Sequence, residues 1–210
     1  MYLYSRRMRV NSFDAVAWAT DTAAAHQAAT GVEMQVWGAV YSAGFGTIAW
    51  TAWHESFAAL DAATDAAMAD GAYMAKSAEG SQWAAPGAGV DDQLQELIAG
   101  VPDPGANPLY VSSVQSACAG GNMARGLGAA VEIAQRADAI TGAMTLVCRN
   151  VTGPYSGVSW FTGTEDGATM DAQNAALAAD AGFLELVDSF AGVYIDTVDP
   201  MQSVLWRRLS

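Results

Sequence analysis

The apolar positions of the first hundred residues change period several times, and each change marks an element. Residues 2–10 alternate aromatic, apolar and cationic side chains in an extended run that predicts a strand. Residues 12–30 predict a helix, with Ser12 as its N-cap and Gly31 as its stop. Two strands follow, over about 32–41 and 46–53, separated by the glycine-bearing loop from Ser42 to Gly46, whose glycines supply the positive φ angles of a hairpin. A second helix over about 55–69 carries Phe57, Leu60, Ala67 and Met68 at helical spacing. A short helical segment near 72–79, a loop and a last strand over 92–99 complete the run. The order is β-α-β-β-α-β, a ferredoxin-like unit.

The remainder of the chain repeats this order. Shifted by 110 positions, Trp50 falls on Trp160, Glu55 on Glu165, Asp61 on Asp171 and Asp70 on Asp180. Large apolar residues also pair at this shift: Met34 with Met144, Val36 with Leu146, Phe45 with Tyr155, and Tyr73 with Phe183. Alanine coincidences would mean little in so alanine-rich a chain, but matched Trp, Glu and Asp positions indicate a duplication. At the amino end Leu3 and Tyr4 match Leu109 and Tyr110 at a shift of 106, which implies four extra residues near Cys118. The expected division is residues 1–100, a linker over 101–108 whose three prolines end regular structure, and residues 109–210. Strands near 109–117, 143–150, 157–163 and 202–209 and helices near 121–138 and 167–180 are expected in the second copy.

The middle strands are apolar on both sides: Met34, Val36 and Val40 point one way, Trp37 and Tyr41 the other. Such strands are covered on both faces. Helices cover one, and the sheet of the other copy is the economical cover for the second.

Composition narrows the function more than it names it. A net charge of −13, with 9 Lys and Arg against 22 Asp and Glu, disfavours binding to nucleic acid or to anionic membranes. No run of 18 apolar residues occurs, and the arginines of the first ten residues follow apolar ones, the reverse of a secretory signal. A soluble, cytoplasmic protein is expected. The two cysteines, Cys118 and Cys148, fit no disulfide framework or zinc pattern, and the two histidines are too few for a dedicated metal site.

The stretch from Trp50 through Trp53, His54, Glu55, Phe57 and Leu60, followed by Met68, Asp70 and Tyr73, resembles the strand-to-helix segment of the dimeric α+β barrel superfamily. That superfamily includes antibiotic-biosynthesis-type monooxygenases, haem-degrading monooxygenases and NIPSNAP-like proteins. The resemblance implies an α+β fold in which two ferredoxin-like repeats build, within one chain, the barrel that relatives assemble from two subunits. The crowding of tryptophans in the first copy fits either core packing or a pocket for a small hydrophobic or aromatic molecule, lined by Gln35, Trp37, Trp50 and Trp53, with His54, Tyr4 and Arg6 as candidates to handle protons and substrate oxygens. Cofactor-free, monooxygenase-like oxidation is one expectation and a noncatalytic ligand-binding or structural module the alternative. Haem binding is a third, and would show as a Soret band in a titration; the second helix lacks the histidine that haem-degrading relatives use. No cofactor or metal is assigned, and self-association of the chain is left open. His26, near the end of the first helix, reads as a protonated ring suited to the helix dipole.

Overall fold

The protein is described here by a computed structural model covering residues 1–210, apart from residues 43–45, 104 and 196–201 and the side chain of Gln202. The tip of the first hairpin, the match of Phe45 with Tyr155 and the middle proline of the linker lie outside the described residues.

The first repeat comprises β1 (Tyr2–Arg9), α1 (Ala15–Thr30), β2 (Gln35–Val40), β3 (Thr47–His54), α2 (Phe57–Ala69), α3 (Gly71–Ala78) and β4 (Val90–Ala99), with a 3-10 turn at Glu79–Gln82. The second comprises β5 (Tyr110–Ala117), α4 (Met123–Thr141), β6 (Thr145–Asn150), β7 (Gly157–Thr164), α5 (Gly167–Ala179), α6 (Ala181–Ser189) and β8 (Gln202–Arg208). The hydrogen-bonded strand order β1-β3-β2-β8-β5-β7-β6-β4 closes on itself as a barrel. This is the α+β barrel of two ferredoxin-like repeats in one chain. Two compact units result: Met1–Gln95 with Trp206–Ser210, and Glu96–Leu205. Their division falls inside β4 and β8 rather than in the linker, so each of these strands contributes to both units.

Local chemistry explains the helix ends. Ser12 lies in the turn before α1, where its Oγ accepts from Asp14 N at 3.1 Å; the helix begins at Ala15, and Asp14 makes no side-chain cap bond. Ser12 is therefore a turn residue rather than the expected cap. Gly31 ends α1 in the left-handed conformation, φ 72°, as Gly142 ends α4 at φ 71°. Asp70 and Asp180 cap α3 and α6, each accepting from a backbone N–H (Tyr73 and Phe183) at 2.7 Å.

Strand registers refine the repeat. Tyr2 lies opposite His54 and Tyr110 opposite Thr164, so β5 follows β1 at a shift of 108, not 106. Val36 lies opposite Trp50 and Val147 opposite Trp160, so β2 and β6 correspond at 111. The counterparts of Val36 and Trp37 are Val147 and Cys148, one residue beyond the sequence match. From β3 onward the shift is 110. Matching by residue type missed these slips because turns absorb insertions without disturbing strand pairing.

Each unit packs its helices on one sheet face around the same anchor. Trp50 Nε1 donates to Ala19 O at 3.0 Å, and Trp160 Nε1 donates to Ala130 O at 2.9 Å. Around Trp50 lie Ala19, Ala23, Val36 and Ile48; around Trp160 lie Ala130, Ala134, Val147 and Val158 at the equivalent positions. The alanines let helix and sheet approach closely, and the indole N–H gains a buried acceptor.

Candidate functional site

A cavity of about 550 Å³ lies within the first unit, between the helix-covered face of the sheet and helices α1, α2 and α3. Side-chain alternation selects what the sheet contributes: Tyr4, Arg6 and Met8 from β1, and Trp50 and His54 from β3. Helix α1 adds Trp18, Thr22 and His26; α2 adds Leu60, Ala63 and Met68; α3 adds Tyr73 and Met74. Mostly apolar walls with a few convergent polar groups are the usual form of a small-molecule site.

Two aromatic contacts shape the walls. Trp18 meets Trp50 edge to face at 5.4 Å, and its Nε1 donates to Lys76 O at 2.9 Å, tying α1 to α3. Gly80 sits directly against this indole: a Cβ there would stand 2.7 Å from Trp18 Cζ2, so any larger residue displaces the ring. His26 and Tyr73 likewise meet edge to face, at 5.6 Å.

The polar groups divide into two sets. At the rim, Arg6 grips Asp92 with two bonds, Nε to Oδ1 at 2.8 Å and Nη2 to Oδ2 at 2.7 Å, while Tyr4 OH donates to Oδ1 at 3.1 Å. Burial tends to raise the Asp92 carboxyl, but the bonds from Arg6 and Tyr4 outweigh it and hold the group below its ordinary value. Burial raises the Tyr4 phenol, with Asp92 adding to the effect, so Tyr4 remains a protonated donor. Arg6 is held charged, first by its bond to Asp92.

Deeper in the cavity stand two neutral imidazoles. His54 is 4% exposed and burial lowers its pKa. His26 is 7% exposed; burial lowers its pKa, against a bond to the Val32 backbone, and the proximity of His54 and Arg6 lowers it further. The Thr30 hydroxyl lies against the His26 ring. Nδ1 lies 3.4 Å from Thr30 Oγ1, but that hydroxyl already donates its proton to His26 O at 2.8 Å and accepts from Val32 N at 3.0 Å. It is therefore placed to accept from the ring rather than to donate to it. His26 is thus a buried neutral ring, not the protonated dipole partner that its place near a helix end suggested.

Of the residues singled out from sequence, Tyr4, Arg6, Trp50 and His54 line the cavity together. Gln35, Trp37 and Trp53 alternate with them and lie on the sheet face turned away from the helices, where Trp37 Nε1 donates to Thr51 Oγ1 at 2.9 Å. Asp92 and His26 line the cavity as well, though neither is marked by the sequence as a pocket residue. Asp92 sits 86 residues from Arg6, and only the fold joins them. Arg7, on the opposite face from Arg6, pairs with Asp91 at 2.8 Å. Among the described residues, no group of three His, Cys, Asp or Glu could hold a metal ion, and no helix is long and apolar enough to cross a membrane.

The architecture is the fold of a dimeric α+β barrel with both halves on one chain. Known structures share that fold along the whole chain. A provisionally assigned monooxygenase from Fusobacterium nucleatum superposes with a TM-score of 0.70 at 10% identity, covering 100% of this chain and 92% of its own. A similarly assigned protein from Lactobacillus acidophilus gives 0.65 at 11% identity, covering 100% and 94%. An anthrone oxidase-like protein gives 0.66 at 13% identity, covering 99% and 90%. At such identities the likeness is one of fold. No family model matches the sequence, and no curated protein matches it.

Proposed function

We propose that the first unit binds a flat, uncharged aromatic molecule in its helix-covered cavity and oxidises it with dioxygen, the substrate itself supplying the electrons. The observation that carries this reading is His26: a buried, neutral imidazole with Nδ1 3.4 Å from the Thr30 hydroxyl, in the wall of an aromatic cavity. An aromatic compound with an activated methylene group, of the kind named in the anthrone oxidase-like neighbour, suits these walls. His26 takes a proton from that carbon, and His54 supplies a second neutral ring beside it. The resulting electron-rich anion reduces dioxygen. Across the reaction two C–H bonds break, one oxygen atom becomes the carbonyl of the product and the other leaves as water, so dioxygen takes all four electrons from the substrate. Tyr4 is kept protonated and therefore binds and orients; it does not serve as the base.

The test is oxygen uptake with anthrone in the presence of a metal chelator. Uptake matched by formation of the quinone, and lost in a folded His26→Ala variant, is the expected result. Uptake unaffected by His26→Ala and His54→Ala contradicts the assignment of the base. Tight anthrone binding without turnover supports the ligand-binding module instead.

A further inference from the structure

We propose that Asp92 sets the charge selectivity of the cavity, holding Arg6 neutralised so that the site accepts an uncharged aromatic and refuses its carboxylate analogue. The inference rests on the reading of the cavity as a small-molecule site. A lone arginine at the mouth of an aromatic pocket would recruit an anion, because guanidinium binds carboxylate with two parallel bonds. Here that geometry is already filled from within the chain: Nε and Nη2 are both directed to Asp92, at 2.8 and 2.7 Å. Tyr4, the other polar group of β1 in the cavity, spends its proton on the same carboxylate.

The charges of the cavity therefore cancel. Arg6 and Asp92 sum to zero, and the two imidazoles behind them are neutral. The side chains of Arg6 and Asp92 are 38% and 45% exposed, so the pair stands at the rim, where an entering molecule meets it first. An anionic ligand would have to expel Asp92 from Arg6 while lying beside the displaced carboxylate, in a chain of net charge −13. A neutral ligand faces no such exchange, and the remaining Arg6 N–H groups and the Tyr4 oxygen can still meet a hydroxyl or carbonyl. Arg6 and Tyr4 thus bind the ligand, and Asp92 positions both.

Calorimetric binding of naphthol and of naphthoate at neutral pH separates the possibilities. The native protein should bind naphthol at least about tenfold more tightly than naphthoate, the scale of one charge-assisted hydrogen bond forgone. Asp92→Asn keeps the shape of the side chain and frees the arginine charge; naphthoate affinity should then rise about tenfold or more, and Arg6→Met in the same background should abolish the gain. A native protein that prefers naphthoate, or an Asp92→Asn variant with unchanged preference, overturns the role given to Asp92 and leaves the cavity reading standing. Binding of neither probe overturns the cavity reading and the inference with it. The native comparison needs no substitution, so a folding defect in a variant cannot obscure the result.

Discussion

The two units share an anchor and differ in what surrounds it. Both clamp a helix carbonyl with a tryptophan indole, and both end their first helix in the same way: Thr30 and Thr141 each donate to the carbonyl four residues back, and each accepts from a backbone N–H two residues on. The polar residues that line the cavity are kept in only one of them. By strand register and helix position, Tyr4 becomes Ser112, Arg6 becomes Val114, Trp18 becomes Ala129, His26 becomes Ala137 and His54 becomes Thr164. Tyr194 in the second unit comes edge-on to Trp160 at 5.7 Å and donates to Gly126 O at 2.8 Å, from a position equivalent to Ala84. One unit arranges polar groups around a hollow, while the other places Val114, Leu127 and Tyr194 against its core. The difference separates what the fold requires from what the site requires: Trp50 and the threonine turn belong to the frame, and the histidines, Arg6 and Asp92 to the cavity.

The sharpest way to break this comparison is to remove the proposed base. His26→Ala should lower anthrone oxidation by about 10²–10⁴-fold, the usual contribution of a positioned proton acceptor. Ala137 already occupies the corresponding place in the second unit, so folding should survive, as circular dichroism would show. Next in size are the two anchors. Trp50→Ala and Trp160→Ala should each cost about 3–5 kcal/mol in denaturant unfolding, but only the former should also disturb ligand binding. Equal effects of both on binding would mean that the cavity is not specific to the first unit.

Acid should also separate the units. The folded pKa values of His26 and His54 lie below the unfolded value of 6.5, so between the two the unfolded chain binds more protons. Their contribution to stability is complete above pH 6.5 and is lost as pH falls below it. Hydrogen exchange should show α1 and β3 loosening before α4 and β7, whose counterpart residues do not titrate; simultaneous loosening counts against it. Oxidation should decline over the same range, since protonated imidazole is no base. The smallest effect concerns the frame alone. Ser56 accepts from Ala59 N at 3.1 Å, and Ser56→Ala should cost about 1 kcal/mol without changing naphthol affinity.

The element order was legible from the sequence because period changes, glycines and prolines mark it directly. Strand β3, expected at 46–53, spans Thr47–His54, and α2, expected at 55–69, spans Phe57–Ala69. The duplication was legible at Trp50 and Trp160, whose shared role as anchor preserves the residue type. It was blurred at Trp37, where the indole face and the cysteine of its counterpart have no resemblance and the one-residue slip is visible only in strand pairing. The cavity lining was legible where a single strand carries it, as with Tyr4 and Arg6. Asp92 was not, because an acidic residue in an acidic chain gives no local sign of a partner so far away in sequence. Nor was the state of His26, which depends on how deeply the fold buries its ring.

The indole bond to the helix backbone has a wider effect. A carbonyl held in mid-helix fixes how far α1 can slide or roll over its sheet, and it does so without asking anything of the side chains one or two turns away. Those neighbours are free to change in one copy while the other keeps the barrel closed. Fusing the copies thus permits an asymmetry that identical subunits cannot have, because in a symmetric pair every substitution made for a ligand must also be endured where no ligand sits.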